Sequence, residues 1–204
     1  MIGHETIVRA LVRLLNTQGE PVARLVEKHT PEVPAGAIIT PKGEDIHSAW
    51  ADIVSKGRFP TWMVVPRDTP TRGGTTQIRE SDGVYDETRW TYPFRIATHV
   101  TDGDEYKAAR QRYRLLLVIR TILVQTKLLY ANHETPAMAT EKAIIDFTNY
   151  VEIVGGQSYS TKTEKHLLEA FTDFDVIATE LTPHIRIPVG LVETAHTPET
   201  GLIP

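Results

Sequence analysis

Asp173 and Asp175 stand two apart in Phe171-Thr-Asp-Phe-Asp-Val-Ile-Ala, a stretch that alternates as a strand does, so both carboxylates project from one side. With Glu152 across the hairpin, or Glu169 on the same strand, they could form the all-oxygen set with which a nuclease holds Mg²⁺. A solvated or lumen-facing strand edge explains such acids better, and acids beside DNA would keep it from adhering, because like charges repel at short range. Gly156-Gln157-Ser158-Tyr159-Ser160 approaches the Gly-x-Ser-x-Gly nucleophile elbow, but its last glycine is missing and its surroundings read as a hairpin. There is no Gly-x-x-x-x-Gly-Lys-Ser/Thr loop and no His-Glu-x-x-His, and the eight histidines stand singly. With no cysteine in the chain, thiolate nucleophiles, disulfides and Cys-ligated metals are absent. The expectation is a protein that is not an enzyme, with no catalytic, cofactor-binding or metal-ligating residue.

The bulk properties point the same way. A chain of 204 residues, 41% hydrophobic and 24% charged, has the composition of an ordinary globular domain. Its net charge of −4 argues against a general nucleic-acid binder. Charge is unevenly placed: residues 101–130 hold six Lys or Arg against three Asp or Glu, hence +3, whereas 141–204 hold four against ten, hence −6. Such segments can attract each other within one chain or between the subunits of a head-to-tail ring. The start lacks a secretory pattern and no apolar run spans a bilayer, so a soluble, unprocessed chain without membrane contact is expected.

The elements that would carry these residues are readable from periodicity. Ile7, Ala10, Leu11, Leu14 and Leu15 mark a first helix ending between Asn16 and Gly19; Pro21 suits the start of a second, burying Val22, Leu25 and Val26. Ile46, Ala49, Trp50, Ile53 and Val54 mark a third, closed by Gly57. Thr61–Val65 reads as a strand, and residues 67–88, rich in Gly and Pro, as a long contact loop with room for a small hairpin near Thr76-Gln77-Ile78. Tyr92, Phe94, Ile96, Thr98 and Val100 alternate with Arg95 and His99 on the other side. Asp102 and Glu105 then resemble a capping box opening a long helix at about 104–127. Its second half, Leu115 to Val124, is apolar nearly all round, which suits either a helix buried inside one domain or one shared between subunits. Ile145, Phe147, Val151 and Ile153, a tip at Gly155-Gly156-Gln157-Ser158, and Leu168, Ala170, Phe174, Val176 and Ala178 make a long hairpin. A last strand is expected at 184–192, with Pro188 favouring an edge. The fold class is α/β of the α+β type: a mixed, mainly antiparallel sheet flanked by helices, in one domain over 1–192 with an extended tail at 193–204.

Tyr92-Pro-Phe-Arg-Ile-Ala-Thr-His-Val, Asp102-Gly-Asp-Glu-Tyr-Lys-Ala-Ala-Arg-Gln-Arg-Tyr-Arg-Leu-Leu-Leu-Val-Ile-Arg-Thr-Ile-Leu and Phe171-Thr-Asp-Phe-Asp-Val-Ile-Ala together resemble, in layout, the tail terminators of long-tailed bacteriophages. The resemblance covers Trp90 to Val192. It implies a structural virion protein, assembled in the bacterial host cytoplasm, whose hexameric ring caps the tail tube, stops its polymerisation and joins the head connector or neck protein while DNA passes the lumen without sequence-specific binding. On that reading Arg110, Arg114, Arg120 and Leu117 would meet Asp173, Asp175 or Glu180 at subunit contacts. Arg72, Gly73, Gly74, Gln157 and Ser158 would face axial partners. The alternatives are a neck or head-completion protein, a small metal-dependent nuclease built on Asp173 and Asp175, or a host adaptor module.

Overall fold

The apolar positions Ile7, Leu11, Leu15, Gly19, Val22 and Val26 recur every three or four residues, and all are buried in one continuous helix, α1, His4–His29. The computed structural model describes residues 3–48, 59–80, 83–126, 128–130, 142–161 and 163–183. The expected break at Asn16–Gly19 does not occur. Pro21 lies inside α1 and removes one helical N–H, but the buried stripe runs straight through it, so packing outweighs the local penalty. Gly19 is not a terminator: a Cβ there would lie 3.2 Å from the ring of the fully buried Trp62, and the missing side chain is what lets helix and strand approach. Glu27, near the end of α1, accepts from the amides of Gly36 (2.9 Å) and Ile38 (2.8 Å). Those two amides hold its carboxyl below the usual carboxylate range.

Among the described residues seven strands form one mixed sheet: β1 Ile46–His47, β2 Thr61–Pro66, β3 Arg72–Glu80, β4 Gly83–Asp102, β5 Leu128–Tyr130, β6 Lys142–Ser160 and β7 Lys165–Pro183. The path is β1-β2-β4-β7-β6-β5, with β3 also on β4; β1 and β2 are parallel and every other pair is antiparallel. β4 shares one edge between two partners, β3 along 83–91 and β2 along 94–99. Most of the expected 67–88 loop is therefore a hairpin. Its few apolar residues hid it from a reading based on burial, because ladder hydrogen bonds rather than an apolar face organise it. Ile46 pairs with Trp62 in β1 instead of opening a helix. The remaining positions of that expected helix, 49–58, the 184–192 strand and the 193–204 tail lie outside the described residues.

β4 leads into α2, Glu105–Gln125, which returns across the sheet. Its N-cap is Asp104, two residues later than expected, accepting from the amides of Tyr106 (2.9 Å) and Lys107 (3.3 Å). Asp102 instead accepts from the Asp104 amide at 2.9 Å and shapes the turn. The two helices share one sheet face. The core there joins Ile7, Leu11 and Leu15 of α1 and Leu115, Ile119 and Ile122 of α2 to Trp62, Phe94, Ile96, Phe174 and Val176. No helix among the described residues is long and apolar enough to cross a membrane.

The β6–β7 hairpin continues past its expected tip at Gly155. Pairing shifts between Asp146 and Val151 and again between Val154 and Gln157, so Gly155 and Gly156 form a bulge. A Cβ on Gly155 would lie 2.7 Å from the Phe171 ring and 3.3 Å from Glu169. The chain turns only after Ser160, opposite Lys165.

Candidate interaction surface

α2 buries Ala108, Arg112, Leu115, Leu116, Val118, Ile119, Ile122 and Leu123. On the opposite side Tyr106, Arg110, Tyr113, Leu117 and Val124 fall at i, i+4, i+7, i+11 and i+18, one line along the helix. Tyr106 is 69%, Tyr113 53% and Val124 55% exposed, while Leu117 is partly buried against the core. The Arg110 guanidinium lies 4.6 Å above the Tyr106 ring, a cation–π contact that holds both groups on the outer face. The helix is thus covered on one side by its own sheet and presents aromatic and apolar groups on the other.

The stripe ends where α2 reaches β6. There Val124, Phe147 and Tyr150 line an open groove with Arg120 and Glu152. Arg120 grips Glu152 with two donors, Nε at 2.8 Å and Nη2, and the Tyr150 hydroxyl donates to the same carboxylate. Burial acts to raise the Glu152 carboxyl, but the hydrogen bonds from Arg120 and Tyr150 outweigh it and leave it below its ordinary range. Burial, reinforced by the Glu152 hydrogen bond, pushes the Tyr150 hydroxyl up. The cationic α2 and the acidic hairpin therefore meet within one protomer. At the other end, Gln111 donates to the Ile39 carbonyl (2.8 Å) and Arg114 to that of Ala37 (3.3 Å), fixing α2 to the loop that Glu27 holds.

The sheet face away from the helices is crossed by rows set by strand register. Met63, Ala97, Phe171 and Ile153 align in one row, Val65, Arg95, Asp173 and Val151 in the next. Asp173 is 3% exposed and takes two hydrogen bonds from Arg95 (2.7 and 2.8 Å) and an ion pair from Arg67 (3.3 Å). The Asp173 hydrogen bonds raise Arg95 above its ordinary value. Arg95 also lies 4.7 Å over the Phe171 ring. Asp175 is buried and accepts from Asn149 at 2.7 Å.

Asp173 and Asp175, two of the three acids expected at subunit contacts, are thus engaged inside the protomer, Asp173 by guanidinium groups that its carboxylate needs once buried. Those partners occupy the oxygens a metal would use, and among the described residues no three His, Asp or Glu side chains converge as a metal site. His99 is buried beside Glu169, Nε2 to Oε1 3.3 Å, and burial holds it down to about 4, with His47 nearby adding to the effect.

The remaining expected residues distribute as follows. Arg72, Gly73 and Gly74 open β3 and are exposed, with the Trp90 ring lying over Gly73 where a Cβ would be. Gln157 and Ser158 are exposed on β6 beyond the bulge, and Glu180 pairs with Thr88 in the β4–β7 ladder. Of the expected interface set, the fold brings Arg110, Leu117 and Arg120 onto one helix face. Tyr106, Tyr113 and Val124 escaped attention, although their spacing on the line of Arg110 and Leu117 was there to be counted. No family model matches the chain, and no curated protein matches it.

Proposed function

We propose that the chain is the ring subunit of a phage tail terminator, a structural virion protein that caps the tail tube, halts its polymerisation and joins it to the head connector or neck protein. The observation that carries this reading is the outward stripe of α2, Tyr106, Arg110, Tyr113, Leu117 and Val124. Tyr and Arg are among the residue types enriched at protein interfaces, and a helix that keeps them on its solvent side offers a partner a contact surface. In a ring the partner is a different surface of the next copy, so the contact is heterologous and closes by rotation. The two hairpins suit axial contacts, because β3–β4 and β6–β7 turn at opposite ends of the sheet. Gln157 and Ser158, close to the β6–β7 turn, would then serve one end, while Arg72, Gly73 and Gly74, opposite Thr91, Trp90 and Arg89 at the open end of the β3–β4 hairpin, would contact a partner from the side of the sheet, with DNA in the lumen.

The test is the mass in solution by light scattering, alone and with tail-tube rings. Six copies of 22.9 kDa, about 137 kDa, or a ring formed only on tube ends, supports the reading. A strict monomer that ignores tubes removes it, and a hexamer that binds connectors but not tubes moves it to a neck or head-completion protein.

A further inference from the structure

β6 has β7 on one side and β5 on the other, but β5 reaches only Lys142–Ile144. Beyond it, no strand among the described residues pairs with the outer side of β6. β6 and β7 keep regular antiparallel register from Val151–Asp173 to Val154–Ala170, and along such a ladder every second residue turns its N–H and C=O away from the neighbour. Those outward groups are a template for another extended chain. Apolar side chains flank them on both faces: Val151 and Ile153 stand on the face away from the helices and Val154 on the other, 49%, 39% and 49% exposed. Six of the eleven large apolar side chains exposed among the described residues belong to this one strand, so the exposure is concentrated rather than scattered. The devices that keep a free edge from pairing are sparse here. β6 contains no proline, its one lysine, Lys142, lies opposite Tyr130 of β5, and Glu152, the one charge within 151–154, is paired with Arg120. The bulge at Gly155-Gly156 ends the regular stretch, so the template is four residues long.

We infer that the edge Val151–Val154 receives a short extended segment of a partner protein, uncharged and apolar at every second position, which joins the sheet as a further strand. The row of outward backbone groups selects an extended chain over a helix. Val151 and Ile153, side by side on one face, set the apolar period of the guest through cross-strand contacts. Glu152, held by Arg120, leaves no charge on the edge for the guest to match. The inference does not depend on ring formation, since a monomer presents the same edge.

The probe is the peptide acetyl-Thr-Val-Thr-Val-Thr-amide, titrated calorimetrically into the full chain beside two versions methylated on backbone nitrogen, one at both valines and one at the central threonine. Only alternate N–H groups of an added strand face the sheet, so one methylated version is expected to lose binding tenfold or more while the other binds as the parent does. Ile153→Lys, which sets a charge on the open edge, is expected to weaken the parent peptide by the same factor. No saturable binding, equal affinity of the two methylated versions, or indifference to Ile153→Lys overturns the assignment. So does self-association that shuts out the peptide and disappears in Ile153→Lys, since the edge then belongs to a second copy. Should Ile153→Lys fail to fold, the two methylated peptides decide on the unaltered chain.

Discussion

Arg95 and Asp173 face each other across the β4–β7 ladder, joined by parallel hydrogen bonds of 2.7 and 2.8 Å, and Arg67 approaches the same carboxylate from the end of β2. One acid thereby ties three strands together on the face opposite the helices.

Asp173→Asn keeps the shape but removes the charge and leaves two cations facing a neutral amide. Breaking a buried pair can cost about 3–5 kcal/mol; because both arginines reach solvent, a loss of about 1–3 kcal/mol is expected in urea unfolding. An unchanged midpoint would mean that the pair contributes little.

Gly155→Ala places a methyl 2.7 Å from Phe171, itself pinned beneath Arg95. Overpacking of this kind costs about 1–3 kcal/mol, and the bulge should shift. A variant as stable as the parent would show that the ring can yield.

His99 gives stability a pH dependence of definite sign. Its folded value, about 4, lies below the ordinary 6.5. Between those values the unfolded chain binds a proton that the native state refuses, so stability falls as pH drops from 6.5 towards 4. The full difference corresponds to about 3 kcal/mol at 1.36 kcal/mol per unit. Urea midpoints against pH should be flatter for His99→Gln across that window; parallel curves would remove His99 as the source.

Tyr113→Asp alters an exposed group on the outward line of α2. Monomer stability should change by less than about 0.5 kcal/mol, while assembly measured by light scattering should be lost. Intact assembly would take the α2 stripe out of the contact.

How much of this was legible depended on which force shapes each element. β4, β7 and α2 each pack one face against the shared core, and their periodicity reported that face; it did not report that the far side of β4 and β7, with His99, Asp173 and Asp175, is buried too, nor that β4 begins at Gly83. The Asp104 cap differed because Asp102 and Asp104 are both competent acceptors two residues apart. Gly19 and Gly155 read as breakers from composition, yet both mark close approach, to Trp62 and Phe171, which only tertiary packing defines. β3 was obscured by its Gly and Thr content, since backbone pairing leaves no apolar signature. At the surface, charge and hydrophobicity singled out Arg110, Leu117 and Arg120, which lie along one side of α2. The partners of Asp173 needed the strand register to become visible, although Arg95 already stood on the matching side of β4.

The long β4–β7 ladder, continuous from Tyr85–Pro183 to Asp102–His166, also sets how the molecule would respond to pulling. Tension along the strands, applied at opposite ends, is shared by every rung at once, whereas tension across them opens rungs one at a time. The fold should therefore be stiff in one direction and easily peeled in the other, and a force-extension measurement with handles at the two geometries would read that anisotropy as two rupture forces.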